Sequence, residues 1–390
     1  MNELRERVRL WLIDRKAEFF RTILRSRFLM ALGRRLPFPV KLNHARLVVH
    51  HADAVHALRH GRSFGMPYLA KMQQLGGPFV LGLDDGPEHV RLRRAVQVAI
   101  DGCDLDALHD ESRARSEQLL ACLSRIEVVG GLTDPVLAST VGPYLGLGTV
   151  TRRQLVDART VFHDIFINGL KDPRVSRRAH EAAARLRYHV TSVVEDRHGE
   201  LPDHRDILGR LIAGDQLTQT ELINHGIGLL VAWSASVSRA MAFTMDALFR
   251  QPVGFALAQK AAMQADRAAM TAVLGEAFRF VPPAPAVERV CRRETPIRGR
   301  LVRREGDIIV AFTSAMMDGK VVEDPGRFRV GRPCEADLTF GLGRHACLGR
   351  ELARAQLTGI LIALLRRPRL RWAYGIKLVG PYPHRLEVTW

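Results

Sequence analysis

Residues 340–349 read Phe-Gly-Leu-Gly-Arg-His-Ala-Cys-Leu-Gly, which places one cysteine on a glycine-rich turn that opens into a predicted helix. Free N–H groups and the positive end of the dipole at a helix N-terminus favour a thiolate, so Cys347 suits a metal. Gly341 and the glycine two residues later permit a tight turn, Phe340 can shield the sulfur, and Gly349 leaves room for a flat ligand. The alternative is a buried structural cysteine, and the ten residues favour the ligand.

The composition limits the class of protein. The 390 residues, 47% of them hydrophobic, can bury a sizeable core in one large domain or in two average ones. The longest apolar run, around residues 226–233, is too short to span a membrane, and the N-terminus has no apolar segment typical of a secretory signal. Five cysteines without a CxxC pair argue against a disulfide framework or a four-ligand zinc site. These features predict a cytoplasmic protein.

The formal charge is +17 at pH 7, and arginines scattered along the chain dominate it. Three alternatives can explain this charge: a solvated Arg-rich surface, an acidic protein partner or an anionic membrane surface. Nucleic acid is disfavoured, because no zinc-finger spacing or aromatic-interleaved basic motif is present. Residues 1–36 are predicted to form an N-terminal amphipathic helical segment. Its apolar stripe is typical of core packing, with peripheral membrane contact as the alternative.

Hydrophobic periodicity predicts a mainly α-helical protein with small β-sheets, in which residues 37–390 form one domain. Five stretches are predicted to be helical: 88–123, 151–197, 205–250, 255–280 and 348–366. Short β-like pieces occupy 47–49, 286–312, 369–372 and 386–388. A loop rich in glycine and proline, at 317–339, precedes the cysteine turn.

A second motif lies in the fourth helical stretch. Glu276 and Arg279 are three residues apart and share one helix face. Such pairs are common on protein surfaces. Arg327, in the loop before the cysteine turn, offers a second guanidinium that closes a buried three-member network. A buried network of charges is costly unless all of them are paired, so it would fix the fold and perform no chemistry.

Four potential cations are scattered along the chain. His89 and Arg93 are four apart on a predicted helix, Arg289 follows a proline pair, and His345 precedes the cysteine by two residues. Each of them alone is more often a surface residue. Together they can surround the two carboxylates of a porphyrin.

These motifs occur together and in order, and through them the chain resembles the cytochrome P450 family of haem-thiolate monooxygenases, in its soluble bacterial form. The cysteine loop matches, as do a Glu-x-x-Arg helix, a Pro-x-Arg-Phe element at 325–328 and a bacterial haem-propionate helix at 86–94. The resemblance runs from about residue 40 to the C-terminus.

The resemblance implies a single P450 fold with haem b between a long central helix and the cysteine-loop helix. It implies that Cys347 is the axial iron ligand. It also implies oxidation of a partly apolar organic substrate with O2 and external electrons, of the kind found in bacterial secondary metabolism. The residues implied to bind haem are His89, Arg93, Ala232, Arg289, Phe340, Gly341, His345 and Gly349. Glu276, Arg279 and Arg327 are implied to be structural.

The central helix departs from the family pattern Ala-Gly-x-Glu/Asp-Thr. Residues 232–236 read Ala-Trp-Ser-Ala-Ser, so Trp233 replaces the glycine, Ala235 the acid and Ser236 the threonine. Trp233 and Ser236 are therefore the candidate catalytic residues. In one interpretation the helix is rotated or bulged, and Ser236 with water carries protons to oxygen. In the other, oxygen activation is impaired, which leaves a peroxide-dependent or isomerising enzyme, or a catalytically silent haem-fold protein.

The remaining expectations concern partners. An acidic ferredoxin or flavodoxin is the implied electron donor, on a face made basic by Arg91, Arg94, Arg344, Arg350 and Arg354; ordinary surface arginines are the alternative. The substrate pocket is expected within 62–84 and 163–185, with Phe64, Met66, Tyr68, Phe162, Phe166 and Ile167. The basic stretch from Lys171 to Arg178 is a hypothetical site for a substrate carboxylate or a carrier protein.

Overall fold

The computed structural model describes residues 2–36, 39–42, 45–168, 171–197, 205–379 and 382–390. Helices dominate these ranges and the strands are short, so the predicted fold class is confirmed. The helices are Asn2–Arg25 (α1), Arg27–Arg34 (α2), His51–Arg59 (α3), Leu69–Leu75 (α4), Pro87–Asp101 (α5), Leu105–Leu120 (α6), Asp134–Leu145 (α7), Arg152–Phe166 (α8), Pro173–Asp196 (α9), Ile207–Ala213 (α10), Gln219–Phe249 (α11), Pro252–Met263 (α12), Arg267–Phe280 (α13), Phe312–Ala315 (α14) and Arg350–Leu365 (α15). The strands are Val40–Leu42 (β1), Ala45–Val48 (β2), Phe64–Gly65 (β3), Arg125–Glu127 (β4), Ala286–Cys291 (β5), Thr295–Ile297 (β6), Arg300–Val302 (β7), Asp307–Ala311 (β8), Arg371–Val379 (β9) and Tyr382–Thr389 (β10).

Four of the predicted helical stretches are each two helices, because capping residues interrupt them. Asp104 accepts hydrogen bonds from the N–H groups that begin α6, Asp172 caps α9, and Asp266 caps α13. Thr218 begins α11 with a reciprocal capping box to Glu221. Residues 169–170, between α8 and α9, lie outside the described residues. Helix α15 matches its predicted stretch.

Helix α7 is an element that periodicity did not predict. It follows a π-helical turn, Val128–Thr133, and ends at Gly146, whose φ is +80°. Its sequence carries the usual boundary signals, Asp-Pro at the start and glycine at the end. Its 12 residues carry apolar side chains nearly all round and show no amphipathic stripe, so the helix is buried on most sides.

The strands form three small sheets. The largest has the order β1-β2-β8-β5-β3, with β2 parallel to β8 and the other pairs antiparallel. A second sheet has the order β4-β10-β9, and β6 pairs with β7 as a hairpin. The five-stranded sheet lies against α3 and α14 and brings Arg289, on β5, to the edge of the central cavity.

Helix α11 is the centre of the core. It contacts α7, α8, α9, α13 and α15. By length and composition it is the single helix among the described residues that is apolar enough to cross a membrane, but 72% of its most apolar window is buried inside the protein. Core packing therefore explains its apolar sequence.

The two N-terminal helices pack on the five-stranded sheet. Ile23, Leu24 and Met30 join a cluster with residues of β2 and β8. The Thr313 hydroxyl donates to the Leu24 carbonyl (2.6 Å), and Arg34 donates to the Ser314 hydroxyl (2.9 Å). The predicted boundary after residue 36 falls at residues 37–38, outside the described residues, so the domain division stays a prediction.

The buried charge network is real, but its third member is Arg332 and the prediction of Arg327 is wrong. Arg279 makes two hydrogen bonds to the Glu276 carboxylate (2.7 and 2.9 Å), and Arg332 Nε makes a third (3.1 Å). The side chain of Arg327 is 83% exposed, and only its carbonyl accepts from Arg279. The reason is an alternation of side chains: Phe328 faces inward against Phe280, so that Arg332, four residues later, also faces inward.

Candidate active site

The cysteine loop has the tight geometry that its glycines predict. Gly341 and Gly343 have φ of +67° and +72°. A Cβ at Gly343 would lie 3.0 Å from the Leu58 carbonyl oxygen, so both conformation and space require glycine there. The Cys347 N–H closes the loop by donating to the Phe340 carbonyl (2.8 Å). The cysteine is thereby fixed just before α15.

The Cys347 side chain opens onto a cavity of about 2070 Å³ that runs between the loop and α11. Burial raises the pKa of this thiol, and the N–H of Gly349 with the guanidinium groups of Arg350 and Arg93 lower it by less. The expectation that the helix N-terminus makes the free thiol anionic is therefore wrong in its net direction. The reason is that surrounding protein removes water from the thiolate. A bound metal ion would restore the anionic form, because it deprotonates a coordinating thiol.

Phe340 closes the site on the side of α15. Its ring lies edge-on to Phe278, with ring centroids 6.0 Å apart. The guanidinium carbons of Arg350 and Arg354 lie 5.7 and 5.2 Å from the Phe340 centroid. Phe340, Gly341 and Gly349 all border the cavity, and a Cβ at Gly349 would meet no protein atom within 4 Å. Protein packing does not require this glycine, so the free space belongs to the cavity.

Three of the four predicted cations meet beside the loop. The rings of His89 and His345 are 4.4 Å apart, and Arg93 donates to the Ala346 carbonyl (2.8 Å). His345 borders the cavity, whereas His89 and Arg93 are not among the residues that line it. Burial lowers the pKa of His89, and it lowers that of His345 to about 4.

The fourth cation, Arg289, reaches the same cavity from β5. It is 5% exposed, and one of its nitrogens donates to the Glu288 carbonyl (2.8 Å). The structure thus brings together all four residues that were scattered in sequence.

Several buried polar atoms of this group have no hydrogen-bond partner among the described residues. They are both ring nitrogens of His89, Nδ1 of His345 and Nη1 of Arg93. The other ring nitrogen of His345, Nε2, lies 2.9 Å from the Asp85 carboxylate, which is ion-pair distance. Unpartnered buried donors are costly, so an absent acceptor belongs here. The propionates of a haem are such acceptors. The sulfur of Cys347, which opens onto the cavity, suits the haem iron, and the free space at Gly349 suits the flat ring.

On the opposite wall, α11 runs as an uninterrupted α-helix. Ser236 is exposed to the cavity, and Ala232, one turn earlier, is partly exposed to it. Ala235 is fully buried. The interpretation that this helix is bulged is therefore wrong. The hydroxyl of Ser236 faces the cavity from a regular helix.

Trp233 borders the cavity but is anchored away from it. The indole is 9% exposed, and its N–H donates to the Gln356 side-chain oxygen on α15 (2.8 Å). Gln356 in turn donates to the Thr140 hydroxyl on α7 (2.6 Å). The ring also lies edge-on to Tyr144. Trp233 therefore contributes to the cavity wall, while its polar atom is held in the seam between three helices.

The walls of the cavity match most of the predicted pocket. Met66, Tyr68, Phe162, Phe166 and Ile167 border it. Phe64 does not. It is fully buried in the cluster between the five-stranded sheet and α3, because its strand pairs with β5.

Several ionisable residues of the wall were not predicted, among them Arg239, His163 and Glu288. Arg239 is 5% exposed and lies three residues after Ser236 on α11. Burial is the main cause that lowers the pKa of His163 to about 4. Burial, and then Asp307, raise the pKa of Glu288 to about 7. An arginine inside an apolar helical run was the one available sequence signal, at Arg239.

A second depression, of about 580 Å³, lies at the start of α5. Arg62, Arg91, Arg94 and Arg344 line it. Arg91 bonds to Glu221, Arg344 is 3.9 Å from Asp85, and Arg94 is exposed. Three of the five predicted arginines thus share one surface, and Arg350 and Arg354 contact Phe340 beside the loop.

Comparisons with known proteins agree with this geometry. A family profile described as Cytochrome P450 matches residues 153–373. Nocardicin C N-oxygenase of Nocardia uniformis is 29% identical over 78% of each chain, and erythromycin C-12 hydroxylase of Saccharopolyspora erythraea is 26% identical over 79% of this chain and 78% of its own. The crystal structure of CalO2 superposes with a TM-score of 0.81 at 21% identity, over 94% of this chain and 96% of that one. The chain belongs to the cytochrome P450 family, with haem b as its cofactor and monooxygenation as its class of reaction.

Proposed function

We propose that the chain monooxygenates a partly apolar organic molecule bound between α11 and the cysteine loop. The observation that carries this proposal is that the sulfur of Cys347 and the hydroxyl of Ser236 open onto the same cavity from opposite walls. When bound there, haem with a thiolate ligand supplies activation of O2. The residues of the chain bind the cofactor, orient the substrate and move protons.

The proposed roles follow from position. Cys347 is the metal ligand, and Ala232 leaves space at the wall of α11. His89, His345, Arg93 and Arg289 bind the propionates, because their buried donors lack acceptors or face the cavity. Phe340, Gly341 and Gly349 shape the loop face of the cofactor site. Trp233 is proposed as a positioning residue for α11 because of its bond to α15.

Ser236 is proposed to hold water and pass protons, since the acid of the family pattern is Ala235. We expect Ser236→Ala to lower turnover with a reductase about 100-fold, because one missing proton-transfer group has an effect of at least that order. Product formation and hydrogen peroxide release per electron consumed measure this effect. Ser236→Thr is the matched control and should keep most of the turnover.

The same turnover assays distinguish O2 from peroxide as the oxidant. If wild-type protein forms product with peroxide and not with any reductase system, the peroxide-dependent alternative replaces this proposal. Equal turnover of Ser236→Ala and wild type would remove the proton role from Ser236 and leave the class of reaction unchanged.

The substrate is proposed to be mainly apolar with one ionisable group. The wall includes the apolar side chains of Met66, Phe162 and Phe166, and the ionisable side chains of Arg239 and Glu288 border the same cavity. The basic stretch 171–178 borders the same cavity, although its Arg174 is paired with Asp172 and Asp14. A substrate carboxylate, free or carried by a protein, suits this end of the cavity.

An acidic ferredoxin or flavodoxin is proposed to dock at the arginine-lined depression. We expect Arg94→Glu to slow reduction of the haem about tenfold at low ionic strength, and to have little effect at high salt, because exposed charges mainly steer association. Stopped-flow reduction with ferredoxin or flavodoxin measures it. Arg304→Glu, at an exposed site on the β6–β7 side, is the control. Equal slowing in both variants would indicate net charge alone and remove the docking site.

A cytoplasmic location is proposed. Among the described residues, the cysteines Cys103, Cys122, Cys291 and Cys347 are free, which suits a reducing compartment.

A further inference from the structure

Glu288 is an acid on the wall of the central cavity whose carboxylate has no partner among the described residues. It lies on β5, directly before Arg289, and it is partly buried. Outside the sheet ladder its hydrogen bonds are made by its backbone. The N–H donates to the Tyr68 hydroxyl (3.1 Å), and the carbonyl accepts from Arg289 (2.8 Å). A partly buried carboxylate without a partner either takes up a proton or binds a cation.

The neighbouring Arg289 is not that cation, because successive side chains of a strand point to opposite faces of the sheet. Val287 and Cys291, which share the face of Arg289, join the apolar cluster with α3. Ile309, the β8 partner of Glu288, instead packs in the cluster with α2. The two charged side chains therefore reach the cavity from different faces of β5, and Arg289 is not a cause of the pKa shift of Glu288.

The surroundings of the Glu288 carboxylate are acidic and aromatic. Asp307 shares its face of the sheet, two residues before Ile309, and borders the same cavity. Burial, and then Asp307, raise the pKa of Glu288 to about 7. The ring of Tyr68 lies edge-on to Phe166, with centroids 4.8 Å apart, and both rings border the cavity. Acids beside aromatic rings are the surroundings that favour a cation, by charge and by the ring quadrupole.

We propose that Glu288 selects a substrate with a positively charged nitrogen, which binds at its carboxylate beside Tyr68 and Phe166. This assignment rests on the proposed function, because it names one group of the molecule that the same cavity holds. It adds a cation to the carboxylate that suits the basic stretch 171–178. The incoming cation and the Glu288 carboxylate compensate each other's loss of water. A neutral oxygen is a poorer partner, since it accepts a hydrogen bond only from protonated Glu288.

Calorimetric binding of decyltrimethylammonium, 1-decanol and decanoate to the haem-loaded protein tests the proposal. The trimethylammonium group is charged at every pH and, unlike a free amine, has no lone pair for the haem iron. We expect wild type to bind decyltrimethylammonium about tenfold more tightly than 1-decanol, because a charge pair near a protein surface contributes at least this order. Glu288→Gln should remove that preference and leave the binding of 1-decanol and decanoate unchanged.

A pH series gives a second measurement that needs no variant. Binding of decyltrimethylammonium to wild type should strengthen about tenfold from about pH 6 to about pH 8, because Glu288 loses its proton through its pKa of about 7 and the carboxylate attracts the cation. Burial raises the pKa of Tyr68, so it stays neutral, and His163 and His345 have pKa values of about 4 and stay neutral as well. Binding of 1-decanol should change little over this range.

Glu294→Gln is the matched control. Glu294 is an exposed acid just beyond β5 and is not among the described residues that line the cavity, so this variant should bind all three probes as wild type does. Unchanged binding of decyltrimethylammonium in Glu288→Gln would overturn the assignment, as would an equal loss in Glu294→Gln.

The spectrum of the reduced, carbon monoxide-bound protein separates this inference from the proposed function. A wild type with the thiolate band that binds 1-decanol as tightly as decyltrimethylammonium would overturn the role of Glu288 alone. A wild type that lacks the band would overturn the proposed function, whatever its preference among the probes.

Discussion

Cys347→Ala is expected to abolish turnover and to remove the absorption band that marks a thiolate-ligated, carbon monoxide-bound reduced haem. Of the four cysteines whose side chains the structure describes, only Cys347 opens onto the cavity, since Cys103, Cys122 and Cys291 do not border it. Alanine leaves the loop geometry intact, because Gly341 and Gly343 set the turn and the backbone N–H of residue 347 still donates to Phe340. The loss therefore reports the ligand and not the fold.

Three measurements accompany this variant. The haem-to-protein ratio should fall but need not reach zero, since His345, Arg93 and Arg289 remain to bind the propionates. Stability of the haem-free protein should stay within about 0.5 kcal/mol of wild type, because the side chain faces the cavity and removes little core packing. Cys122→Ala, at an exposed position, is the control and should behave as wild type. An unaltered band in Cys347→Ala would show that another residue binds the iron.

The cysteine loop was predictable because all of its determinants are local. Ten consecutive residues contain the turn glycines, the ligand and the start of the helix, and the structure places them as the sequence indicates. The four propionate candidates were predictable in identity from the family resemblance. Their meeting depends on β5 and α5, which lie about 200 residues apart in sequence, and no local rule fixes that distance.

Side-chain direction was the main quantity that sequence could not supply. Trp233 lies on α11 beside residues that face the cavity, but its partner Gln356 is 123 residues away. The rotation of α11 about its axis decides which neighbour it meets. For the same reason, Arg239 could not be assigned to the cavity wall. The surroundings of Trp233 and Arg239 both depend on how α11 packs against helices that are distant from it in sequence.

Side-chain direction also decides which arginine of the loop before the cysteine turn joins the buried charge network of Glu276 and Arg279. Arg332→Ala should lower the free energy of unfolding by about 3 kcal/mol, because it leaves a buried charge network short of one partner. The side chains of Arg332 and Glu276 are 8% and 4% exposed, and their atoms are 3.1 Å apart. Arg332 also donates to the backbone carbonyls of Glu323 and Arg327, at 2.6 and 2.9 Å, so it ties the loop together. Glu276 keeps its bonds to Arg279, which places the effect near the lower end for a broken buried ion pair.

Arg327→Ala is the matched control, since it removes the same side chain five residues away. Its guanidinium is 83% exposed and 3.8 Å from an exposed Asp324, so the change should stay within about 0.5 kcal/mol. The shift of the urea midpoint of the haem-loaded protein, followed by the haem spectrum and by helical circular dichroism, measures both variants. If Arg327→Ala cost as much as Arg332→Ala, the arginine of the Pro-x-Arg-Phe element would be the third member after all. The inward alternation that places Arg332 against Glu276 would then be incorrect.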